Sequence, residues 1–361
     1  MKPKRFKAIV VGEKDSESTL TELQLLLDTL HIETITTMII NLRHKDPATY
    51  ITKGKLEELR ILAESMEADI IAFDFELSST QIRNLKKILG GILLDRPRII
   101  LEIFAQRATT REGKVQVELA SLQKRLPEII DQKASLDQQF GVIGMKGPGE
   151  RSLELTRRNV YARINKLKKR LKELQKQRKI QRDRRIASDS FLISIVGYTN
   201  AGKSTLFNAL TKEDLPTDNL LFHTLDTRTR KGFISKEIGD VLFIDTVGFI
   251  RKLPHELIEA FKGTLEEIKL SDLILLVLDS SDQEFYQQYC TVVQTLTDLG
   301  ANEIKTILVL NKADIALKNK LPQWFLDKLG QEAIFVSAMT TWNIDLLKQK
   351  IAEIIDERLS V

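Results

Sequence analysis

Cysteine occurs once in this chain, at Cys290, which excludes an internal disulfide and a cysteine-based zinc cluster. Its helical-looking surroundings lead us to expect a small buried side chain there. Glycine (17) and proline (8) are sparse, which argues against extended disorder. No apolar run exceeds the six residues Leu273 to Leu278, far short of the roughly 20 that a membrane-spanning helix needs. The basic start, Met1 to Val11, runs straight into a strand-like segment without the apolar region and small-residue cleavage site of a secretion signal. These absences exclude an integral membrane protein and point to a cytoplasmic one.

What is present suits a folded protein of two or three domains: 361 residues, 42% hydrophobic and 29% charged. The net charge of +5 conceals a segregation. From Arg157 to Arg185 there are 14 Lys and Arg against Glu173 and Asp183, a block of +12 that leaves the rest of the chain at −7. So dense a block suits a polyanionic partner.

Three regions follow one another. Short β-rich runs at 9–11, 34–40 and 69–75 alternate with helical stretches around Leu20–Leu30, Lys55–Ser65 and Thr80–Leu89, the pattern of a small α/β domain with a largely parallel sheet. Then Leu119, Leu122, Leu126 and Ile129 form one stripe, a glycine-rich loop runs from Gly141 to Gly149, and Val160, Ile164, Leu167, Leu171 and Leu174 form a second stripe. Two such helices predict an antiparallel hairpin with the loop at its tip. We expect an α/β protein with an N-terminal α/β domain over 1–110, a helical hairpin over 111–187 and a doubly wound P-loop domain over 188–361.

The last region carries the chemistry. An apolar strand leads into Gly197, Tyr198, Thr199, Asn200, Ala201, Gly202, Lys203, Ser204 and Thr205, then a helix. Glycines let the backbone wrap round phosphates with amide N–H groups facing the anion, Lys203 reaches the β and γ phosphates, and the Ser204 hydroxyl suits Mg2+. About forty residues on, a strand delivers Asp245, Thr246, Val247 and Gly248. Asp245 suits a Mg2+ ligand acting through water, and Gly248 can offer its N–H to a γ-phosphate without steric cost. Asn311, Lys312, Ala313 and Asp314 follow another strand. A carboxylate there accepts from the N1–H and amino group of guanine, whereas adenine would leave Asp314 unpaired, so GTP is the expected substrate over ATP. Ser337, Ala338 and Met339 fit the loop whose amides reach the guanine carbonyl. Between the first two motifs, Phe222, His223, Thr224, Leu225 and Asp226 read as a mobile switch, with Thr224 as a ligand of Mg2+ and γ-phosphate.

Four motifs in this order resemble the translation-factor and Ras-like GTPases, with Lys203, Thr224 and Gly248 as the catalytic set. The likeness extends further. The segments at 46–59 (DPATYITKGKLEEL), 73–85 (FDFELSSTQIRNL), 103–120 (IFAQRATTREGKVQVELA) and 141–150 (GVIGMKGPGE) together resemble the HflX family of ribosome-associated GTPases over nearly the whole chain. That resemblance implies binding to the large ribosomal subunit and its RNA, separation of stalled or idle ribosomes, and a hairpin tip that approaches the peptidyl transferase centre. The sequence departs from the family pattern at Val142, Lys146, Arg151 and Ser152, and in the switch at His223 and Thr227. The N-terminal half has no second phosphate-binding loop, and Gly54-Lys55 lacks the rest of one, so no ATP site is expected there.

Phe249 stands where Ras-like enzymes place a water-orienting Gln, which predicts slow hydrolysis by the protein alone and stimulation by ribosomes. Asn200 sits where several cation-activated GTPases coordinate potassium, so K+ is a candidate cofactor beside Mg2+. Arg157, Arg158, Arg163 and Lys166 are candidates for RNA phosphate contacts. We expect a monomer without DNA binding. A signalling GTPase with a protein effector and no RNA contact is the alternative. A loose association with membranes stays open, although only Tyr161 is aromatic on the basic helix.

Overall fold

The computed structural model describes residues 5–14, 16–41, 44–139, 148–186, 191–213, 221–222, 224–225, 227–252, 267–316 and 333–359. They fall into two compact units. Of the described residues, one unit takes those up to Gln106 with Lys114–Glu173, and the other takes Arg107–Gly113, those from Leu174 to Lys252 and those from Glu267 onward.

In the first unit, β1 (Lys7–Glu13), β2 (Glu33–Ile40), β3 (Ile70–Phe73) and β4 (Ile92–Asp95) make an all-parallel sheet in the order β2-β1-β3-β4. Ala8 to Val11 and Ile70 to Phe73 are buried. Central parallel strands lie between helical layers, which is why they read as unbroken apolar runs. Helices α1 (Glu17–Thr29), α2 (Lys53–Ser65) and α3 (Ser79–Leu89) stand where the apolar periodicity puts them, α3 opened by a reciprocal Ser78–Gln81 capping box. Strand β4 and helix α4 (Arg96–Arg107) were not anticipated by the sequence reading.

Two long helices follow, α5 (Arg111–Gln139) and α6 (Pro148–Ile186). On α6 the expected stripe is the inward one: Ile164 and Leu167 are buried, and Val160, Leu171 and Leu174 are half-buried. On α5, Leu119 is buried and Leu122 and Leu126 are half-buried. The Arg163 guanidinium donates to both carboxylate oxygens of Glu118, at 2.7 and 2.9 Å, and ties one helix to the other. Residues 140–147, most of the glycine-rich loop, lie outside the described residues.

The second unit is built on β5 (Leu192–Gly197), α7 (Lys203–Thr211), β6 (Arg228–Ser235), β7 (Gly239–Asp245), β8 (Leu273–Asp279), α8 (Phe285–Asp298), β9 (Thr306–Asn311), α9 (Ala313–Ala316), β10 (Ala333–Phe335) and α10 (Ile344–Leu359). Its sheet runs β10-β9-β8-β5-β7-β6, parallel except for the antiparallel edge strand β6. Chain order reverses about β5, which has β8 on one side and β7 on the other. Doubly wound sheets bind ligands at such a point, beyond the carboxyl ends of the strands. Ile193, Ile195, Phe207, Phe243 and Val277 anchor the core beneath it.

Cys290 departs from expectation, because it is exposed. The buried face of α8 runs through Phe285, Gln288, Val292 and Leu296, and Cys290 falls between those rows.

Candidate functional site

The phosphate loop leaves β5 under tight constraint. A Cβ on Gly197 would lie 2.2 Å from the Val277 carbonyl oxygen of the neighbouring strand. At Gly202, φ is +86° and a Cβ would lie 2.2 Å from Asn311 Nδ2, so both geometry and space demand glycine. Asn200 is exposed at φ +62°. Lys203 opens α7, where Thr205 is half-buried, and its buried ammonium donates to the Tyr198 carbonyl at 2.6 Å. Burial lowers the Lys203 pKa to about 8, opposed by the charge of Asp245.

Three oxygens that lie far apart in sequence meet beside it. Ser204 Oγ lies 2.9 Å from Thr224 Oγ1 and donates to Asp245 Oδ2 at 2.9 Å, and Thr224 Oγ1 donates to the same oxygen at 2.8 Å. Asp245 is buried at the end of β7, and its Oδ1 has no hydrogen-bond partner among the described residues. Burial pushes its carboxyl pKa up, while the Thr224 hydroxyl, Lys203 and the Ser204 hydroxyl pull the other way. A carboxylate with one unused buried oxygen, next to two hydroxyls, is a hard oxygen donor set that fits Mg2+. Arg228, opposite Asp245 across the β6–β7 ladder, adds a positive charge that sequence reading did not single out.

The chain after Asp245 closes against the phosphate loop. Thr246 Oγ1 donates to the Ile195 carbonyl at 2.7 Å, Phe249 N to Gly197 O at 3.1 Å, and Thr199 N to Phe249 O at 2.8 Å. Val247 and the Phe249 ring are buried. A Cβ on Gly248 would stand 2.8 Å from Thr199 Cγ2 and 2.9 Å from Lys203 Nζ, which places that backbone beside the lysine. In the segment expected to be a switch, Phe222 (φ +55°), Thr224 and Leu225 are buried, while His223 and Asp226 lie outside the described residues.

The Asn311–Asp314 and Ser337–Met339 loops are clamped to the phosphate loop by one side chain. Asn311 Nδ2 donates to the Ala201 carbonyl at 2.9 Å, and its Oδ1 accepts from Ala338 N at 3.0 Å. Ser337 is buried, its Oγ accepting from Thr340 N at 3.2 Å, whereas Met339 is 85% exposed. Lys312 lies at φ +60° and pairs with Asp279 at 2.6 Å. Asp314, exposed in α9, makes no hydrogen bond among the described residues, so its carboxylate is open to a ligand. Asp279 and Ser280 escaped sequence reading, whereas Tyr198, read there as part of the phosphate loop, has a hydroxyl that accepts from Arg251 N at 2.9 Å. The first two sit directly after the longest apolar run, the one signal that could have found them.

A doubly wound sheet that presents a phosphate loop, a switch threonine, a strand-end Asp-x-x-Gly and an Asn-Lys-x-Asp at its carboxyl edge is a P-loop GTPase domain. The GTPase HflX of Caldanaerobacter subterraneus subsp. tengcongensis is 45% identical over 85% of this chain and 71% of that protein, and the GTPase HflX of Escherichia coli is 38% identical over 94% and 80%. The chain belongs to the HflX family of GTPases. Family models agree along its length: "GTP-binding GTPase N-terminal" over residues 17–105, "GTP-binding GTPase Middle Region" over 107–185 and "50S ribosome-binding GTPase" over 192–312. Among solved structures, a GTP-binding protein from the archaeon Sulfolobus solfataricus in complex with GDP matches 98% of this chain and 99% of its own, at 27% identity and a TM-score of 0.52.

Proposed function

We propose that this GTPase acts in the cytoplasm on the large ribosomal subunit, where it splits or rescues stalled or idle ribosomes. In this reading its turnover of GTP runs through the residues gathered at the sheet edge. The amides of Gly197 to Thr205 cradle the phosphates, and Lys203 exchanges its bond to the Tyr198 carbonyl for the β and γ phosphates. The hydroxyls of Ser204 and Thr224, which meet at Asp245, would hold Mg2+, and Asp245 would act on it through water. Mg2+, when bound, neutralises charge that develops on the phosphates. Gly248 offers its N–H to the γ-phosphate. Asp314 accepts from guanine, and Ser337, Ala338 and Met339 close over the base. Asn200, exposed on the loop, is the candidate ligand for K+; equal rates in potassium and sodium buffers would remove it from the reading.

The division into 1–110, 111–187 and 188–361 makes α5 and α6 the arms of a hairpin whose glycine-rich tip and basic face meet ribosomal RNA. The observation that carries the ribosomal reading is the solvent side of α6: Lys166, Lys168, Lys169, Arg170, Lys172 and Lys176 are all exposed, the cations flanking and facing away from the stripe of the buried Ile164 and Leu167. A solvated helix needs no such density of one sign, whereas a phosphate backbone rewards it through counterion release. Two of the cations named from sequence are engaged within the protein, Arg163 with Glu118 and Arg158 with Glu154, and so have less charge to offer.

The test is co-sedimentation with large ribosomal subunits across a salt series. Replacing Lys166, Lys169, Lys172 and Lys176 by Gln should weaken binding and flatten the slope of log K against log salt by about 3. Nucleotide affinity serves as the check that the variant is folded. An unchanged slope would make the basic face mere solvation and favour the reading as a signalling switch.

A further inference from the structure

Strand β8 is buried along all seven residues and ends on a carboxylate, Asp279, which is itself only 9% exposed. A charge at that depth is costly unless it is paired and hydrogen-bonded. Its Oδ1 accepts from the backbone and hydroxyl of Ser281, at 3.0 and 2.5 Å, and its Oδ2 meets Lys312 Nζ at 2.6 Å. Next to it, Ser280 donates from both N and Oγ to the Asn311 carbonyl, at 3.0 and 2.6 Å. Strand register makes Asp279 and Asn311 direct partners on β8 and β9, so this turn lies beside the Asn311–Asp314 loop by construction of the sheet.

We infer that Asp279 is a positioning residue for guanine-nucleotide binding, acting through Lys312, with Ser280 fixing Asn311 in the same way. The inference rests on the reading of Asn311–Asp314 as the base-selecting loop. Lys312 is held at a left-handed φ of +60°, a conformation that a non-glycine residue keeps only when its surroundings fix it. Tethered at its ammonium, the side chain presents its methylene stem, rather than a mobile charge, to a planar ring. Ser280 and Asn311 extend the same order to the phosphate loop at Ala201 and to the opposite base loop at Ala338. Without the carboxylate, Lys312 must be ordered anew each time a nucleotide binds, and that entropy is subtracted from affinity. The reacting phosphate lies at the other end of the site, beside Ser204, Thr224 and Asp245, so the effect should fall on binding and much less on the chemical step.

Titration with fluorescent GDP and GTP analogues tests this on the full chain. Asp279→Asn should raise Kd for both nucleotides about tenfold and change kcat at saturating GTP less than twofold. Asp279→Glu, which keeps the charge on a longer stem, should lie between it and the wild type, and it carries the test if Asp279→Asn fails to fold. In a double-mutant cycle, Asp279→Asn should add nothing to the loss already caused by Lys312→Met. Wild-type affinity in either folded Asp279 variant, or full additivity with Lys312→Met, would overturn the inference. Asp314→Ala separates the two levels. If it leaves guanine selectivity intact, the base-loop reading fails; if it abolishes selectivity while Asp279→Asn binds normally, only the positioning role fails.

Discussion

At the scale of single residues, the site rests on a few side chains whose chemistry leaves little choice. Asp245 carries one hydrogen-bonded and one unused oxygen in a buried setting, and the two hydroxyls beside it are those expected from motif spacing. Thr224→Ala should lower turnover about 100-fold and raise the Mg2+ concentration needed for half-maximal rate, while leaving GDP affinity nearly unchanged; a magnesium titration of the rate reads both. Gly248→Ala would set a methyl group within 3.0 Å of Thr199 and Lys203. Turnover should therefore be lost while the folded state and GDP binding persist, which thermal melting and GDP titration can check. The meeting of Ser204, Thr224 and Asp245 could be expected from the sequence because each stands at a fixed place in a motif. The Asn311 clamp and the Asp279 tether could not, because nothing in one strand's sequence names the carbonyl or ammonium that the neighbouring strand brings beside it. Cys290 was misread because its helix was recognised without the phase that decides which face is inward.

At the scale of elements, amphipathic period and strand length predicted β1 to β3, α1 to α3 and the inward stripe of α6. Strand β4 was missed because Ile92–Asp95 offers four residues, too few for a period, and its register against β3 exists only in the folded sheet. Helix α4 follows it without a loop, so no turn signal separates the two. Proline at its second residue suits a first turn, where no backbone donor is lost. Energetics separates the interactions of α6. Leu167, 2% exposed, should cost about 2–4 kcal/mol when cut to Ala. The Arg163–Glu118 pair is roughly half exposed on both sides, so Glu118→Gln should cost less than about 1 kcal/mol. Denaturant titration of the two variants orders them, and equal losses would mean that the helix is held by charge rather than by its apolar stripe.

At the scale of the whole molecule, charge and catalysis divide along the chain: +12 within 29 residues of the middle region, and a nucleotide site in the last. Among the described residues, the site has no water-orienting glutamine after Gly248. Phe249 is buried and its backbone is engaged with Gly197 and Thr199, so its ring cannot orient a water molecule as a glutamine would. That absence and the basic helix have one explanation if the ribosome both binds the protein and completes its active site. Single-turnover hydrolysis of GTP, measured alone, with small subunits and with large subunits, tests this most directly. The expected result is a slow rate alone, little change with small subunits, and at least about tenfold stimulation by large subunits that disappears when Lys166, Lys169, Lys172 and Lys176 are replaced by Gln. A fast rate for the protein alone that large subunits leave unchanged would contradict it.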